Sequence, residues 1–123
     1  MIMNEWLKNT LTLSDACRIT KPLRFNMMFK PVGSLCNLNC AYCYYLDKAD
    51  IYGEEHRMSL DILEKCIKEY LEINDAEEIT FDWHGGEPLL LGLEYFETIA
   101  KLQNKYKGRK KILNTIQTNA TLI

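Results

Sequence analysis

The chain has few of the features that mark membrane, secreted or nucleic-acid-binding proteins. Its 123 residues contain only two histidines and three prolines, and no apolar run long enough to cross a bilayer. Asn4, Glu5 and Lys8 interrupt the first twenty residues, so no signal peptide can be drawn and we expect a cytoplasmic protein without a membrane partner. A net charge of -2 does not provide the basic face that nucleic acid requires, so we expect no nucleic-acid partner.

The cysteines do not suggest a disulfide framework, because their number is five and no secretory signal is recognised. Cys36, Cys40 and Cys43 lie within eight residues of one another, whereas Cys17 and Cys66 are isolated. Cys66 falls on the apolar face of a predicted helix, where cysteine usually behaves as a small buried apolar residue. We therefore interpret Cys17 and Cys66 as structural and the other three as metal ligands.

Apolar periodicity predicts an α/β fold in which strands and helices alternate. Residues 1–22 show no sustained period and are interpreted as a lead-in segment, followed by one domain over residues 23–123. The β-branched and aromatic runs predict three strands, over residues 23–30, 79–83 and 112–118. Three-and-four spacing predicts two helices, one capped by Ser59 and closing near Asn74, and one from Leu93 to Tyr106.

The order strand, helix, strand, helix, strand predicts parallel pairing through helical crossovers. In such sheets ligands bind at the carboxyl ends of the strands. The cysteine loop 36–43 follows the first predicted strand, the run 85–88 follows the second, and Gln117 to Asn119 end the third. We expect these three segments to meet at one edge of the sheet.

The cysteine spacing favours an iron-sulfur cluster with one unprotected iron. Three thiolates within eight residues can bind three corners of one cube, and no local cysteine serves the fourth. An open metal position can bind a substrate or cofactor as a Lewis acid. Structural zinc is the alternative, although it usually takes four ligands from two cysteine pairs. An iron-sulfur electron carrier or another metal-binding module also remains open.

The motif C-x3-C-x2-C, with Tyr42 before its last cysteine, resembles the signature of the radical S-adenosylmethionine superfamily. The resemblance implies that Cys36, Cys40 and Cys43 hold a 4Fe-4S cluster and that S-adenosylmethionine chelates its open iron. One electron then splits the cofactor and generates a 5'-deoxyadenosyl radical, which abstracts hydrogen from the substrate. Tyr42 would contact the adenine mainly through its backbone.

The run Trp83-His84-Gly85-Gly86-Glu87-Pro88 resembles the superfamily's motif for the methionine amino group. By this resemblance Gly85, Gly86 and Glu87 bind the cofactor, with the glycines allowing close approach and Glu87 facing the ammonium. A side chain at Gly86 is then expected to weaken S-adenosylmethionine binding and leave the cluster intact. His84 is interpreted as a hydrogen-bonding support without a catalytic role.

Within the superfamily, these motifs and the run 116–119 are similar to anaerobic sulfatase-maturating enzymes. The resemblance adds Gln117 and Asn119 to the cofactor-binding residues, and Ala120 stands where the pattern commonly has glycine. It implies oxidation of a cysteine or serine of a sulfatase to formylglycine, with an electron donor such as flavodoxin or ferredoxin. A SPASM-type maturase that modifies other peptides shares the same motifs.

The length also bears on the fold that this resemblance implies. A complete (β/α)8 barrel takes about 250 residues, so 123 residues suffice only for the first part of a partial TIM-type barrel. We expect the chain to be the N-terminal fragment of a radical S-adenosylmethionine core, without the later strands and the C-terminal SPASM domain. Such a fragment is expected to be inactive alone.

Overall fold

The structure, a computed structural model, describes residues 22–45 and 57–123, in which strands and helices alternate as predicted. Its elements are β1 (Met27–Phe29), α1 (Leu60–Ile73), β2 (Glu78–Trp83), a 3-10 helix (Pro88–Leu91), α2 (Leu93–Tyr106) and β3 (Lys111–Ile116). The α/β prediction is confirmed, and the 3-10 helix is an addition to it. Cys17 and nearly all of the predicted lead-in segment lie outside the described residues.

The three strands form one parallel sheet in the order β1-β2-β3. Met27 is paired with Phe81, and the six residues of β2 are paired in register with those of β3, from Glu78 opposite Lys111 to its carboxyl end. Parallel pairing brings the carboxyl ends of all three strands to one edge of the sheet. The three segments that follow these strands therefore begin at the same edge of the sheet, as the sequence predicts.

The first strand is shorter than the predicted 23–30, because tertiary contacts divert the chain before Met27. The carbonyl of Phe25 accepts hydrogen bonds from the Asn74 side-chain amide at 2.6 Å and from the Tyr70 hydroxyl at 3.1 Å. Further upstream, the carbonyl of Leu23 accepts a hydrogen bond at 2.7 Å from the backbone of Asp75, which lies just beyond α1. These backbone groups are thus satisfied by the end of α1 rather than by β2.

The core lies between one face of the sheet and the two helices. Ser59 caps α1 as predicted, and its hydroxyl accepts a hydrogen bond from the Ile62 backbone at 3.3 Å. Burial raises the pKa of Tyr70, whose hydroxyl also donates to the Thr80 carbonyl of β2. The buried apolar cluster comprises Phe29, Leu63, Ile67, Tyr70, Leu71, Ile79, Phe81, Trp83 and Ile99. This packing fixes β1 and β2, and hence the loops that follow them.

The opposite face of the sheet is much less covered within the described ranges. Met28 is 56% exposed and Leu113 is 48% exposed, and most of β3 is open to solvent.

Cys66 is partly buried and packs against the core, in agreement with its structural interpretation. Neither helix of the described part is long and apolar enough to cross a membrane.

Candidate functional site

A cleft at the carboxyl edge of the sheet brings together the three segments that the sequence singles out. Its volume is about 380 Å³. Eight of the nine predicted site residues line it, namely Cys36, Cys40, Tyr42, Cys43, Gly85, Gly86, Gln117 and Asn119. The ninth, Glu87, is fully buried and does not line the cleft. The structure thus brings these eight residues together, while the functional role of each residue stays a prediction.

The cysteine loop leaves three free thiols partly accessible at this cleft. Cys36, Cys40 and Cys43 are each partly exposed. The backbone of Cys43 donates to the carbonyl of Cys40 at 2.8 Å, which closes a turn between these two cysteines. The backbone of Leu38 donates to the Cys36 sulfur at 3.4 Å. Local hydrogen bonds therefore order the backbone of this loop around its cysteines.

The donor set fits an iron-sulfur cluster better than a single metal ion. Within residues 22–45 and 57–123, no three His, Cys, Asp or Glu side chains converge closely enough to hold one ion. A structural zinc ion requires four ligands converging on one point. A cluster spreads its cysteine ligands over separate iron atoms, so three thiols around a common cleft match its needs.

The glycine turn after β2 braces the cysteine loop by backbone contacts. The backbone of Gly86 donates to the carbonyl of Gly33, and that of Glu87 donates to the carbonyl of Leu35, both at 2.8 Å. Gly85 has a φ of 124°, and a Cβ atom there would lie 2.8 Å from the Gly33 carbonyl oxygen. A Cβ atom on Gly86 would clash with the carbonyls of Leu35 and Ser34.

These contacts show a packing role for the glycines beside the predicted one. The sequence interpretation attributes them to close approach of a ligand, and expects a substitution at Gly86 to spare the cluster. In the structure the missing side chain lets two backbone segments of the same chain pack together, and the contact with a ligand stays a prediction. A side chain at Gly86 would displace Leu35, the residue directly before Cys36.

The Glu87 carboxylate is fully buried and accepts hydrogen bonds from three donors of its own chain. Its Oε1 accepts from the Leu89 backbone and from the Thr118 hydroxyl, both at 2.8 Å. Its Oε2 accepts from the backbone of Asn119 at 2.7 Å. Glu87 therefore ties the turn after β2 to the end of β3, and the predicted contact with an ammonium group stays a prediction.

The segment after β3 is held against the end of β2. The backbone of Gln117 donates to the carbonyl of Trp83 at 2.9 Å, which extends the β2–β3 contact beyond the strand. Ala120 has a φ of 59°, a left-handed conformation that favours glycine. Its backbone nitrogen donates to the Thr118 hydroxyl at 3.0 Å. The turn commonly made with glycine is thus retained here with alanine.

Three tyrosines, Tyr42, Tyr44 and Tyr45, line the cleft beside these segments. Tyr42 is 92% exposed, so its ring makes few contacts with the described chain. Tyr45 was not predicted as a site residue, and its hydroxyl lies 3.4 Å from His84 Nδ1. The Gly85 backbone donates to the same nitrogen at 2.6 Å, so Nδ1 acts as an acceptor and a neutral ring carries its proton on Nε2. His84 thereby supports the turn. The only sequence signal for Tyr45 at the cleft is its position two residues after Cys43.

Comparisons with known proteins show the family of the chain. The sequence pattern of the radical SAM superfamily matches residues 31–123. A serine-type anaerobic sulfatase-maturating enzyme of Bacteroides thetaiotaomicron is 48% identical over 84% of this chain and 25% of its own length. A cysteine-type enzyme of Clostridium perfringens is 40% identical over 80% of this chain and 27% of its own length.

Solved structures give the same result. The structure of native anSMEcpe with bound AdoMet and Kp18Cys peptide superposes with a TM-score of 0.71 at 38% identity. The match covers 80% of this chain and 26% of that one, so the chain spans about a quarter of the length of these relatives. The cysteine loop, the glycine turn and the segment after β3 all lie within the residues that match the superfamily pattern, and the chain belongs to the radical SAM superfamily.

Proposed function

We propose that the protein carrying this sequence is an anaerobic sulfatase-maturating enzyme. Cys36, Cys40 and Cys43 would hold a 4Fe-4S cluster, and the neighbouring strand ends would bind S-adenosylmethionine. When bound, these two groups supply reductive cleavage of the cofactor and a 5'-deoxyadenosyl radical. The observation that carries the proposal is the common cleft formed by the three cysteines and the ends of β2 and β3.

The residues of the chain would bind and orient the cofactor. Gly85 and Gly86 line the cleft from the turn after β2, and Gln117 and Asn119 line it from the next strand end. The backbone of Tyr42, an exposed residue at the cleft, would contact the adenine. Since these groups stand on rigid strand ends, they would hold the reacting carbon of the cofactor near the substrate and exclude water.

The proposed substrate is a cysteine or serine of a sulfatase, which would be oxidised to formylglycine. The two relatives support this proposal, because both are sulfatase-maturating enzymes, one serine-type and one cysteine-type. The superposed anSMEcpe structure supports it further, because it has both AdoMet and a peptide bound. A flavodoxin or ferredoxin would supply the electron for cofactor cleavage.

The test uses the complete protein that carries this sequence, incubated anaerobically with reductant, S-adenosylmethionine and a sulfatase peptide. One peptide has cysteine at the target position, a second has serine, and a control peptide has alanine. We expect 5'-deoxyadenosine, together with loss of two hydrogens from the serine peptide. The cysteine peptide should lose two hydrogens and exchange its sulfur, released as sulfide, for an oxygen from water. The alanine peptide should stay unchanged.

The possible failures of this experiment have different meanings. If 5'-deoxyadenosine forms but no sulfatase peptide changes, the sulfatase proposal is wrong and modification of other peptides replaces it. If the protein loads a cluster but consumes no S-adenosylmethionine, the chain is an electron carrier and the proposed function is wrong as a whole. The variant Cys66→Ala should behave like the unsubstituted protein, because Cys66 packs against the core away from the cleft.

A further inference from the structure

The side chain of Asn119 connects the end of β3 to the first cysteine of the loop. Its amide nitrogen lies 2.9 Å from Asn37 Oδ1 and 3.8 Å from the sulfur of Cys36. Its amide oxygen accepts hydrogen bonds from the Thr121 backbone at 3.0 Å and from the Thr121 hydroxyl at 2.8 Å. Each polar atom of the side chain therefore has a partner.

This network fixes which end of the amide faces the sulfur. The backbone N–H of Thr121 can only donate, so the atom that it contacts must be the amide oxygen of Asn119. The amide nitrogen consequently points to Cys36 and Asn37. The backbone of Asn119 is held independently by the buried Glu87 carboxylate at 2.7 Å. The donor is thus placed by two separate sets of contacts.

The hydrogen bonding of Cys36 differs from that of the other two cysteines. Its sulfur receives a local donor, the Leu38 backbone at 3.4 Å, and a distant one from Asn119. In the described residues no hydrogen bond reaches the sulfur of Cys40 or Cys43. The thiol of Cys36 also donates to Asn37 Oδ1 at 3.9 Å. This hydrogen bond is lost when the thiol gives up its proton to become a thiolate ligand.

We propose that Asn119 is a positioning residue that raises the reduction potential of the cluster through its hydrogen bond to Cys36. This inference rests on the proposed function, since it requires a cluster on the three cysteines. Reduction adds negative charge to the cluster and its sulfur ligands, so an N–H donor stabilises the reduced state more than the oxidised one. The end of β3 would thereby influence the electron transfer that precedes cofactor cleavage.

The test is a redox titration of the cluster, followed by EPR, in the complete protein that carries this sequence. Asn119→Leu removes the donor at nearly constant volume and keeps the backbone contact to Glu87. At a fixed solution potential, the ratio of reduced to oxidised cluster should fall by roughly threefold to tenfold, the larger value being about 59 mV for one electron. The midpoint potential should become more negative.

Asn39→Leu is the matched control, because Asn39 is an exposed asparagine of the same loop and, within the described residues, its side chain makes no hydrogen bond to a cysteine sulfur. Its midpoint potential should equal that of the unsubstituted protein. If the leucine variant of Asn119 fails to bind a cluster, Asn119→Asp decides. It keeps the oxygen that Thr121 needs but turns a second oxygen towards Cys36, so its potential should fall further than that of Asn39→Asp.

Equal potentials in the Asn119 and Asn39 variants would overturn the inference while leaving the proposed function intact. Absence of any cluster in the unsubstituted protein would overturn both. A purely structural role for Asn119 would lower the yield or the stability of the protein, but would not shift the midpoint potential of the cluster that is bound. The titration therefore separates the three outcomes.

Discussion

The carbonyl oxygen of Leu35 occupies the space that a Cβ atom on Gly86 would need. We therefore expect Gly86→Ala to push the base of the cysteine loop away from the turn after β2. Forcing backbone groups apart at such a close contact costs roughly 1–3 kcal/mol. Iron and sulfide content after anaerobic reconstitution should fall along with the free energy of unfolding, because Cys36 follows Leu35 directly.

Gly108→Ala provides the control for this substitution. Gly108, unlike Gly86, has a positive φ, of 55°, and a Cβ atom there would meet nothing within 4 Å. It should lower stability by about 1 kcal/mol through backbone strain and leave cluster content unchanged. If Gly86→Ala loads a full cluster and loses only S-adenosylmethionine affinity, the explanation from ligand approach is right and the packing explanation is wrong.

The buried Glu87 carboxylate yields a second prediction. Glu87→Gln keeps the shape of the side chain but replaces one acceptor oxygen by an NH2 group, which would face a donor of Leu89, Thr118 or Asn119. An unpaired buried donor costs about 1–3 kcal/mol. Urea unfolding should show a loss of this size, while the exposed control Glu97→Gln should stay within about 0.5 kcal/mol of the unsubstituted protein.

The same pair of variants tests the predicted contact between Glu87 and the methionine ammonium. A direct contact would reduce S-adenosylmethionine affinity in Glu87→Gln without a matching loss of stability. A positioning role would reduce the stability first and the affinity as a consequence. Isothermal titration and urea unfolding of the same preparations compare the two quantities.

The left-handed conformation of Ala120 yields a third prediction. A residue with a Cβ atom loses roughly 1–2 kcal/mol in this conformation relative to the right-handed one, and glycine does not. Ala120→Gly should therefore stabilise the protein, by about 1 kcal/mol after the greater chain entropy of glycine is subtracted. The matched control Ala100→Gly, in the exposed part of α2, should instead destabilise it by about 1 kcal/mol. Thermal unfolding that moves both variants in the same direction would show that Ala120 is not strained.

The sequence predicted those parts of the site that depend on neighbouring residues. The cysteine spacing, the glycine pair and the strand periodicity are local patterns, and the parallel sheet brings them to one cleft. Helical crossovers make the three strands parallel, and this was sufficient to predict that the segments after them share one edge of the sheet.

The remaining features depend on contacts between distant residues, which no local pattern encodes. Glu87 and Asn119 are 32 positions apart, and their hydrogen bond is apparent only once β2 and β3 are paired. The late start of the first strand has the same origin, since the Tyr70 and Asn74 side chains hydrogen-bond to the carbonyl of Phe25. The clash behind Gly86 likewise requires the position of Leu35 to be known.

The open iron of the proposed cluster can be examined by EPR of the reduced, complete protein, recorded with and without S-adenosylmethionine. Three cysteines leave one iron without a protein ligand, so the cofactor should bind there and change the spectrum. Cys66→Ala should give the same change, and the triple variant Cys36→Ala, Cys40→Ala, Cys43→Ala should give no cluster signal. A spectrum that the cofactor leaves unchanged, or a normal cluster in the triple variant, is incompatible with an open iron held by these three cysteines.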